Sequence, residues 1–342
     1  MRRLALIACA LQAAALAGAA VAAPALSGHG ADPKRTTVSG LSSGAFMAVQ
    51  LQVAYSASIV GAGIVAGGPY YCAADNEFFT GLCTGRASVF APGASSSVGF
   101  AKAFAITHRI DSLDNLKKRR VYVFSGTNDT VVLPSAAAAT VEFFQRLGVT
   151  AAHLKVVDDL PAGHAAITPA AGNECAANAP PYISHCSVGG AGYDQAGEIL
   201  RHLFGAPALQ PRVATPAGQL LAFDQVAFAP PGANAGLADS GFLYVPPGCT
   251  AAAHCRVHVA LHGCLQSAES VGERFARETG FNHWADSNRI LVLYPQVNRS
   301  TRPRNPYGCW DWWGYTGPEY AWRSGAQMKA IMAMVRALAR KP

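Results

Sequence analysis

A serine in a glycine-bracketed turn is the first residue of this 342-residue sequence that could do chemistry. Residues 40–44 read Gly-Leu-Ser-Ser-Gly, between a strand-like run at 36–39 and a helical run that extends to about residue 55. Glycines there allow a sharp strand-to-helix turn that exposes a serine hydroxyl and the N–H that follows it. The pattern predicts Ser42 as a nucleophile, although a plain Gly/Ser-rich turn would have the same sequence.

A serine nucleophile needs a base, and the base needs an acid that orients it. One known chain order is serine, acid, histidine, with the last two on loops that follow later strands. Asp129 follows the strand-like run at 121–124, and His164 follows the run at 153–157. We therefore predict a Ser42–Asp129–His164 triad. Taken singly, Asp129 could be a turn aspartate and His164 a surface-loop histidine.

Other acids and histidines fit this chain order less well. Asp158 and Asp159 lie beside the strand end that precedes His164, and Asp311 lies among aromatic residues. His262 opens a His-Gly-Cys sequence at 262–264, which we interpret as an oxyanion element rather than as a base.

Three histidines spaced by four residues raise the question of a metal site. His254, His258 and His262 would share a face only on a helix, and they span a predicted strand at 257–261. We therefore expect no metal site and no cofactor, with His258 packed within the sheet.

Short β-branched runs alternate with helical stretches along the chain, which is typical of an α/β fold. A Pro-punctuated stretch at 205–211 separates a 23–205 half, with the candidate triad, from a 217–342 half. The remaining strands are predicted at 60–66, 220–228, 241–245, 257–261 and 290–294. Helices are predicted at 100–110, 136–147, 193–204, 270–288 and 319–340.

Composition and the amino terminus indicate an exported globular protein. Hydrophobic residues make up 51% and charged residues 14% of the chain, which excludes a disordered or coiled-coil protein. Arg2 and Arg3 precede an apolar run at 4–20 and small residues at 20–22, so 1–22 is predicted to be a secretory signal. An uncleaved membrane anchor is the alternative.

Removing Cys9 with the signal leaves eight of nine cysteines, an even set that suits disulfides in the medium or the periplasm.

The position of the His-Gly-Cys sequence predicts a rearranged chain order. An α/β-hydrolase usually carries its oxyanion loop after an early strand, upstream of the nucleophile turn. Here the residues before position 36 leave no room for such strands, and the sequence follows the late strand at 257–261. We expect a circularly permuted α/β-hydrolase fold, a mostly parallel sheet with helices on both faces. The segment 23–342 would be a single catalytic domain without a separate substrate-binding domain.

As a set, these motifs resemble the circularly permuted, single-domain extracellular poly(3-hydroxybutyrate) depolymerases. The resemblance covers the whole mature chain and includes the Asp129 and His164 loops. It rests also on Gly-Leu-Ser-Ser-Gly at 40–44, Leu-His-Gly-Cys at 261–264, Leu-Tyr-Pro-Gln at 293–296 and Gly-Cys-Trp-Asp-Trp-Trp at 308–313. Related secreted esterases of the feruloyl-esterase type share the set, so the fold follows more firmly than the substrate.

The resemblance implies roles for further residues. The backbone N–H groups of Ser43 and Cys264 would form the oxyanion hole, because a developing negative oxygen needs two preorganised donors. Trp310, Trp312 and Trp313 would contact the polyester, at least one of them being a core residue instead. Strict alternation would pair Trp310 with Trp312 on one side.

The eight remaining cysteines pair most economically by proximity, although sequence alone leaves many connectivities open. The most economical pairs are Cys72–Cys83, Cys175–Cys186, Cys249–Cys255 and Cys264–Cys309. The last would tie the oxyanion loop to the tryptophan segment. Cys264 as a nucleophile is the rival interpretation, but it lacks a well-placed base.

The expected function is secreted serine hydrolysis of poly(3-hydroxybutyrate) or its oligomers by a monomer. A net charge of +7 is scattered apart from a cluster at 117–120, so no nucleic-acid partner is expected, and no membrane after signal cleavage. The alternatives are a carboxylesterase of the feruloyl-esterase type on soluble or plant-derived esters, and a catalytically silent protein that adsorbs to polymer surfaces.

Overall fold

Eight strands of this chain form one central sheet. The computed structural model describes residues 23–86, 93–205, 209–249 and 253–341, so the expected signal at 1–22 lies outside the described residues. Within that part the chain forms thirteen strands. They are β1 (Thr36–Leu41), β2 (Ile59–Val65), β3 (Arg120–Phe124), β4 (Leu154–Val157), β5 (Ala166–Thr168), β6 (Asn173–Glu174), β7 (Ile183–His185), β8 (Ser187–Val188), β9 (Ala191–Gly192), β10 (Gln219–Asp224), β11 (Ser240–Val245), β12 (Arg256–Leu261) and β13 (Ile290–Tyr294).

The order of strands in the central sheet is β10-β11-β13-β12-β1-β2-β3-β4. The strands from β13 to β4 are parallel, and β11 and β10 add an antiparallel edge. Strand β1 lies between β12 and β2, so its pairing with β12 joins the two halves of the chain. The predicted mostly parallel α/β sheet is confirmed.

Helices cover both faces of this sheet, as predicted. The nine described α-helices are α1 (Ser43–Ala54), α2 (Thr80–Cys83), α3 (Ala94–Ile106), α4 (Pro134–Arg146), α5 (Gln195–Phe204), α6 (Ala268–Val271), α7 (Arg274–Glu278), α8 (Phe281–Asn288) and α9 (Ala326–Leu338). One core contains apolar residues of α1, α3, α4 and α9, and the other those of α5, α7 and α8. Alternate residues of the strands supply both cores. No described helix has the length and apolar character to cross a bilayer.

Three predicted elements are shorter than expected. The helix expected at 270–288 is divided into α6, α7 and α8, because Gly272 (φ 63°) and Gly280 (φ 92°) adopt left-handed conformations between them. The helix expected at 319–340 begins only at Ala326, after a turn in which the Gly325 N–H donates to a carbonyl within the same segment. Strand β10 ends at Asp224, whose carboxylate accepts a hydrogen bond from the Val226 N–H (2.9 Å) and starts a turn.

His258 lies inside the sheet, as expected, and is fully buried. Its Nδ1 is 2.8 Å from the Thr37 hydroxyl and its Nε2 is 2.9 Å from the Ser39 hydroxyl, both on the neighbouring strand β1. Both ring nitrogens are therefore occupied by protein hydroxyls. Burial lowers the pKa of His258 from 6.5 to about 3, so the ring is neutral at neutral pH.

Gly44 is a position where the fold tolerates no side chain. A methyl group there would lie 2.4 Å from the Leu261 carbonyl oxygen and 2.5 Å from that of His262. We expect Gly44→Ala to lower the free energy of unfolding by about 2–3 kcal/mol through overpacking. Gly99→Ala is the control, because a methyl group at this exposed position of α3 would have no atom within 4 Å. Alanine favours a helix over glycine, so the free energy of unfolding should rise by up to about 1 kcal/mol. Denaturant unfolding measures both, and equal effects would contradict the close contact.

The buried neutral His258 makes a second prediction, on acid stability. Because its folded pKa lies below 6.5, the unfolded chain binds a proton that the folded chain excludes, and stability is lost as the pH falls from 6.5 towards 3. Between pH 6.5 and 5 this amounts to roughly 2 kcal/mol. His258→Phe should be less stable at pH 7, since Thr37 and Ser39 lose their partner, yet its stability should fall less on acidification. Denaturant unfolding of both proteins at pH 6.5 and pH 5 tests this. An equal loss of unfolding free energy in the variant and the wild type would refute it.

Candidate active site

The turn between β1 and α1 presents Ser42 at the carboxyl edge of the sheet. Ser42 has a positive φ (57°) with ψ −122°, a conformation that a non-glycine residue adopts only when its surroundings enforce it. Its N–H donates to the Val65 carbonyl (2.9 Å) at the end of β2. Gly40 permits the tight turn, because a methyl group there would lie 2.2 Å from the Gly44 carbonyl oxygen. The predicted strand–turn–helix context of Ser42 is therefore present.

Asp129 and His164 form a buried hydrogen-bonded pair. His164 Nδ1 lies 2.8 Å from Asp129 Oδ2, and both residues are less than 5% exposed. The other carboxylate oxygen accepts from the N–H groups of Val131 (2.8 Å) and Val132 (2.9 Å). With Nδ1 as the donor to the carboxylate, His164 Nε2 is the nitrogen that can accept a proton. The two loops follow the parallel neighbours β3 and β4, at the same sheet edge as Ser42.

Asn178 holds the acid and base loops together, a role that the sequence analysis did not predict. Its Oδ1 accepts hydrogen bonds from the backbone N–H groups of His164 (2.9 Å) and Thr130 (3.0 Å). Its Nδ2 donates to the Asn128 carbonyl (3.0 Å). One side chain therefore fixes the backbone on both sides of the Asp129–His164 contact. A single asparagine in a loop carries no sequence signal for such a contact.

The His-Gly-Cys loop after β12 lies directly beside the Ser42 turn. A methyl group on Gly263 would lie 3.3 Å from Ser42 Cβ, so the two backbones are in close contact. Among the described residues, neither the Ser43 N–H nor the Cys264 N–H donates to a protein acceptor. The Ser43 hydroxyl accepts a hydrogen bond from the backbone N–H of Trp310 (3.3 Å), which ties the turn to the tryptophan segment.

The cysteines form the four pairs that the sequence favoured by proximity. Cys264 is bonded to Cys309 across 45 residues, with a Cα–Cα distance of 4.2 Å. Cys264 is therefore a disulfide partner and not a free thiol nucleophile. The other pairs are Cys72–Cys83, Cys175–Cys186 and Cys249–Cys255.

The three tryptophans of the 308–313 segment have different surroundings. Trp310 is fully buried, with its ring 5.5 Å from that of His262, so its expected contact with substrate is wrong. Alternation failed here because the segment is irregular and not a strand. Trp312 stacks on Phe46 at 4.2 Å, and Trp313 packs edge-on against Trp312. Trp312 and Trp313 line a cavity of about 590 Å³.

That cavity lies beside the candidate site, although Ser42, Asp129 and His164 are not among its lining residues. Cys264 lies on its wall, as does Val131, the residue whose N–H binds the Asp129 carboxylate. Glu77 and Arg304 face each other across the lining in an exposed ion pair (2.7 Å). Tyr307, 59% exposed, lies at the rim.

Asp311 organises the tryptophan segment and is not an alternative catalytic acid. Its carboxylate accepts four hydrogen bonds from the N–H groups of residues 313–316 and one from the Thr316 hydroxyl (2.6 Å). Burial raises the pKa of Asp311, and the Thr316 hydroxyl and the backbone donors oppose that rise. No acceptor position is left for a histidine, so this carboxylate serves the loop.

Comparison with known sequences gives related proteins of one kind. The family described as "Esterase PHB depolymerase" matches residues 239–341. A poly(3-hydroxybutyrate) depolymerase of Delftia acidovorans is 44% identical over 308 residues, which are 89% of this chain and 59% of that protein. This chain therefore spans under two thirds of the Delftia protein. A polyhydroxybutyrate depolymerase of Talaromyces funiculosus is 38% identical over 94% of both chains.

Solved structures give the same relationship. The crystal structure of the PHB depolymerase from Penicillium funiculosum matches with a TM-score of 0.83 and 36% identity, over 92% of this chain and 98% of that one. A PHB depolymerase complexed with an R3HB trimer matches with the same TM-score and 35% identity, over the same shares. The chain belongs to the poly(3-hydroxybutyrate) depolymerase family of carboxylic ester hydrolases.

Proposed function

We propose that this chain hydrolyses the ester bonds of poly(3-hydroxybutyrate) or its oligomers, with Ser42 as nucleophile, His164 as base and Asp129 as the acid that orients it. The observation that carries the proposal is the buried Asp129–His164 hydrogen bond at the sheet edge where the strained Ser42 turn lies. The relatives' names supply the substrate class. These names favour the polyester over the feruloyl-type alternative.

Each step of this mechanism uses a group with the required chemistry. His164 Nε2 takes the Ser42 proton as the hydroxyl oxygen bonds to the ester carbonyl carbon, and Asp129 stabilises the resulting imidazolium. The N–H groups of Ser43 and Cys264 donate to the carbonyl oxygen as it becomes negative. The C–O bond to the 3-hydroxyl group then breaks, and His164 returns the proton to that oxygen. Water repeats the sequence and releases the 3-hydroxyacyl group from Ser42.

The strand order supports a circular permutation. Strand β12 and its His-Gly-Cys loop lie next to the nucleophile strand β1 in the sheet, although they follow it by more than 200 residues. An ordinary α/β-hydrolase supplies that oxyanion strand from an earlier part of the chain. Both halves contribute to one sheet, which favours a single catalytic domain over 23–342.

The cavity beside Cys264 would hold the acyl chain. Trp312 and Trp313 give it apolar aromatic walls, which suit the methyl branches of the polyester. Trp310 would support the oxyanion loop from the core, where its ring packs against His262. The four disulfides favour an oxidising compartment and hence secretion, into the medium or the periplasm. We propose that the protein acts there as a monomer.

Exposed aromatic side chains near this cavity would adsorb the solid polymer. Phe78 is 92% exposed and follows Glu77, which lines the cavity, and Tyr307 lies at the rim. Single exposed apolar side chains are common on proteins, but several of them beside one pocket mark a site for a partner surface. A polymer granule provides that surface, so the catalytic domain would need no appended binding domain.

Ser42→Ala tests the catalytic assignment. Turnover of the 3-hydroxybutyrate trimer should fall by at least about 10³-fold with the fold unchanged, since no nucleophile remains. A serine-directed organophosphate should label the wild type at Ser42.

Product analysis with amorphous polymer, crystalline polymer, the trimer and a feruloyl ester compares the substrate classes. Full activity of the variant would refute the triad, and preference for the feruloyl ester would support the alternative. Folded wild type that takes no label would favour a silent binding protein.

Phe78→Ser tests the adsorption surface. Binding to polymer granules and clearing of a granule suspension should fall about fivefold, roughly the loss of one exposed aromatic contact. Hydrolysis of the soluble trimer should not change. Ile106→Ser is the control, because Ile106 is 78% exposed on α3 and does not line this cavity. Equal losses in the two variants, or none in either, would contradict the assignment.

A further inference from the structure

His262 is a buried polar residue that the proposed mechanism does not use. Its Nδ1 lies 2.7 Å from the Gly263 carbonyl oxygen, and its Nε2 lies 3.1 Å from the Val297 nitrogen. A carbonyl only accepts and a backbone N–H only donates, so Nδ1 must carry the ring proton and Nε2 must be bare. The contacts therefore select one neutral tautomer. Burial also lowers the pKa of His262 to about 4, against the opposing hydrogen bond to Gly263.

This contact fixes the direction of the Cys264 N–H. The Gly263 carbonyl and the Cys264 N–H belong to the same planar trans peptide unit, in which they point in opposite directions. Holding the carbonyl oxygen on His262 therefore turns the N–H away from the histidine. Gly263 lies against Ser42, so a small rotation of this peptide would change the donor's aim at the reacting carbonyl.

Gln266 holds the peptide on the other side of Gly263. Its Oε1 accepts from the Gly263 N–H (2.8 Å), and it is fully buried. Its Nε2 donates to the carbonyls of Pro181 (3.0 Å) and Tyr182 (2.9 Å). Tyr182 packs edge-on against His164, so Gln266 connects the oxyanion loop to the base side of the site. Both peptide units that contain Gly263 atoms thus have a buried side-chain partner.

We propose that His262 and Gln266 are positioning residues that clamp the Gly263 peptide units and so preorganise the Cys264 N–H as an oxyanion donor. The inference rests on the proposed function and assigns to it two residues that touch no reacting atom. A rigid donor costs no reorganisation when charge develops, whereas a loosened donor loses much of its effect on the transition state. The clamp should therefore act on kcat and not on ground-state binding.

The test compares buried-residue variants that lose the clamp with matched variants that lose a similar group elsewhere. His262→Phe removes both ring hydrogen bonds, and His258→Phe is its control, a fully buried histidine of β12 whose ring nitrogens also lie within hydrogen-bond distance of protein groups. Gln266→Met removes the amide, and Gln52→Met is its control, since Gln52 is fully buried and its amide has no partner among the described residues. His262→Asn retains a donor close to the Nδ1 position and serves as the conservative variant.

With a soluble short-chain ester, kcat should fall about 10- to 100-fold in His262→Phe and in Gln266→Met, with KM within about threefold of the wild type. His262→Asn should recover most of kcat. A trifluoromethyl ketone, which forms a tetrahedral oxyanion adduct with Ser42, should bind the two clamp variants more weakly by a similar factor. The controls should change neither value, and their melting temperatures report the general cost of a buried substitution.

The two variants are independent, so failure of one to fold leaves the other as the test. If the clamp variants have the same kinetics as their controls, this inference is overturned. The proposed function still holds in that case, provided that the wild type is active and depends on Ser42. A loss seen in KM alone would also overturn the inference. A wild type that neither hydrolyses the ester nor binds the ketone would overturn the proposed function, and the clamp with it.

Discussion

The parallel pairing of β1 with β12 is the constraint on which the rest of this structure depends. It brings the turn at Ser42 and the loop at Gly263 to the same sheet edge, from opposite halves of the chain. The contact is so close that Gly44 cannot carry even a methyl group. A shift of register by one residue would reverse the faces of the strand and remove Gly40 from the turn. The site therefore forms only if the register of β1 on β12 and the glycines of the turn are both maintained.

Polar side chains shape the loops above this edge: Gln266 and Asp311 are fully buried, and Asn178 is half-buried. Asn178 joins the acid and base loops, Gln266 joins the oxyanion loop to the base side, and Asp311 folds the tryptophan segment. A buried amide or carboxylate is stable only when its hydrogen bonds are made, so each such residue permits few backbone arrangements.

Sequence patterns predicted where the site residues lie along the chain, and missed side-chain contacts that only the folded loops define. Ser42, Asp129 and His164 could be singled out because each follows a strand-like run, and parallel strands end at one edge. The close contact of Gly263 with the serine turn could be expected from the His-Gly-Cys sequence. Asn178 could not, because its partners are defined only by the folded loops. Trp310 was misplaced for the same reason: alternation describes a strand, and its segment is held by Asp311 instead.

The Glu77–Arg304 ion pair has a mechanical consequence for the cavity. Glu77 lies in the segment closed by the Cys72–Cys83 disulfide, and Arg304 lies in the segment closed by Cys264–Cys309. The charges that meet at the rim are exposed, and such pairs contribute about 1 kcal/mol or less and are screened by salt. The cavity is therefore braced covalently beside Cys264, whereas Glu77 and Arg304 are joined by a weak contact that salt can loosen, so the space between their two segments can widen there.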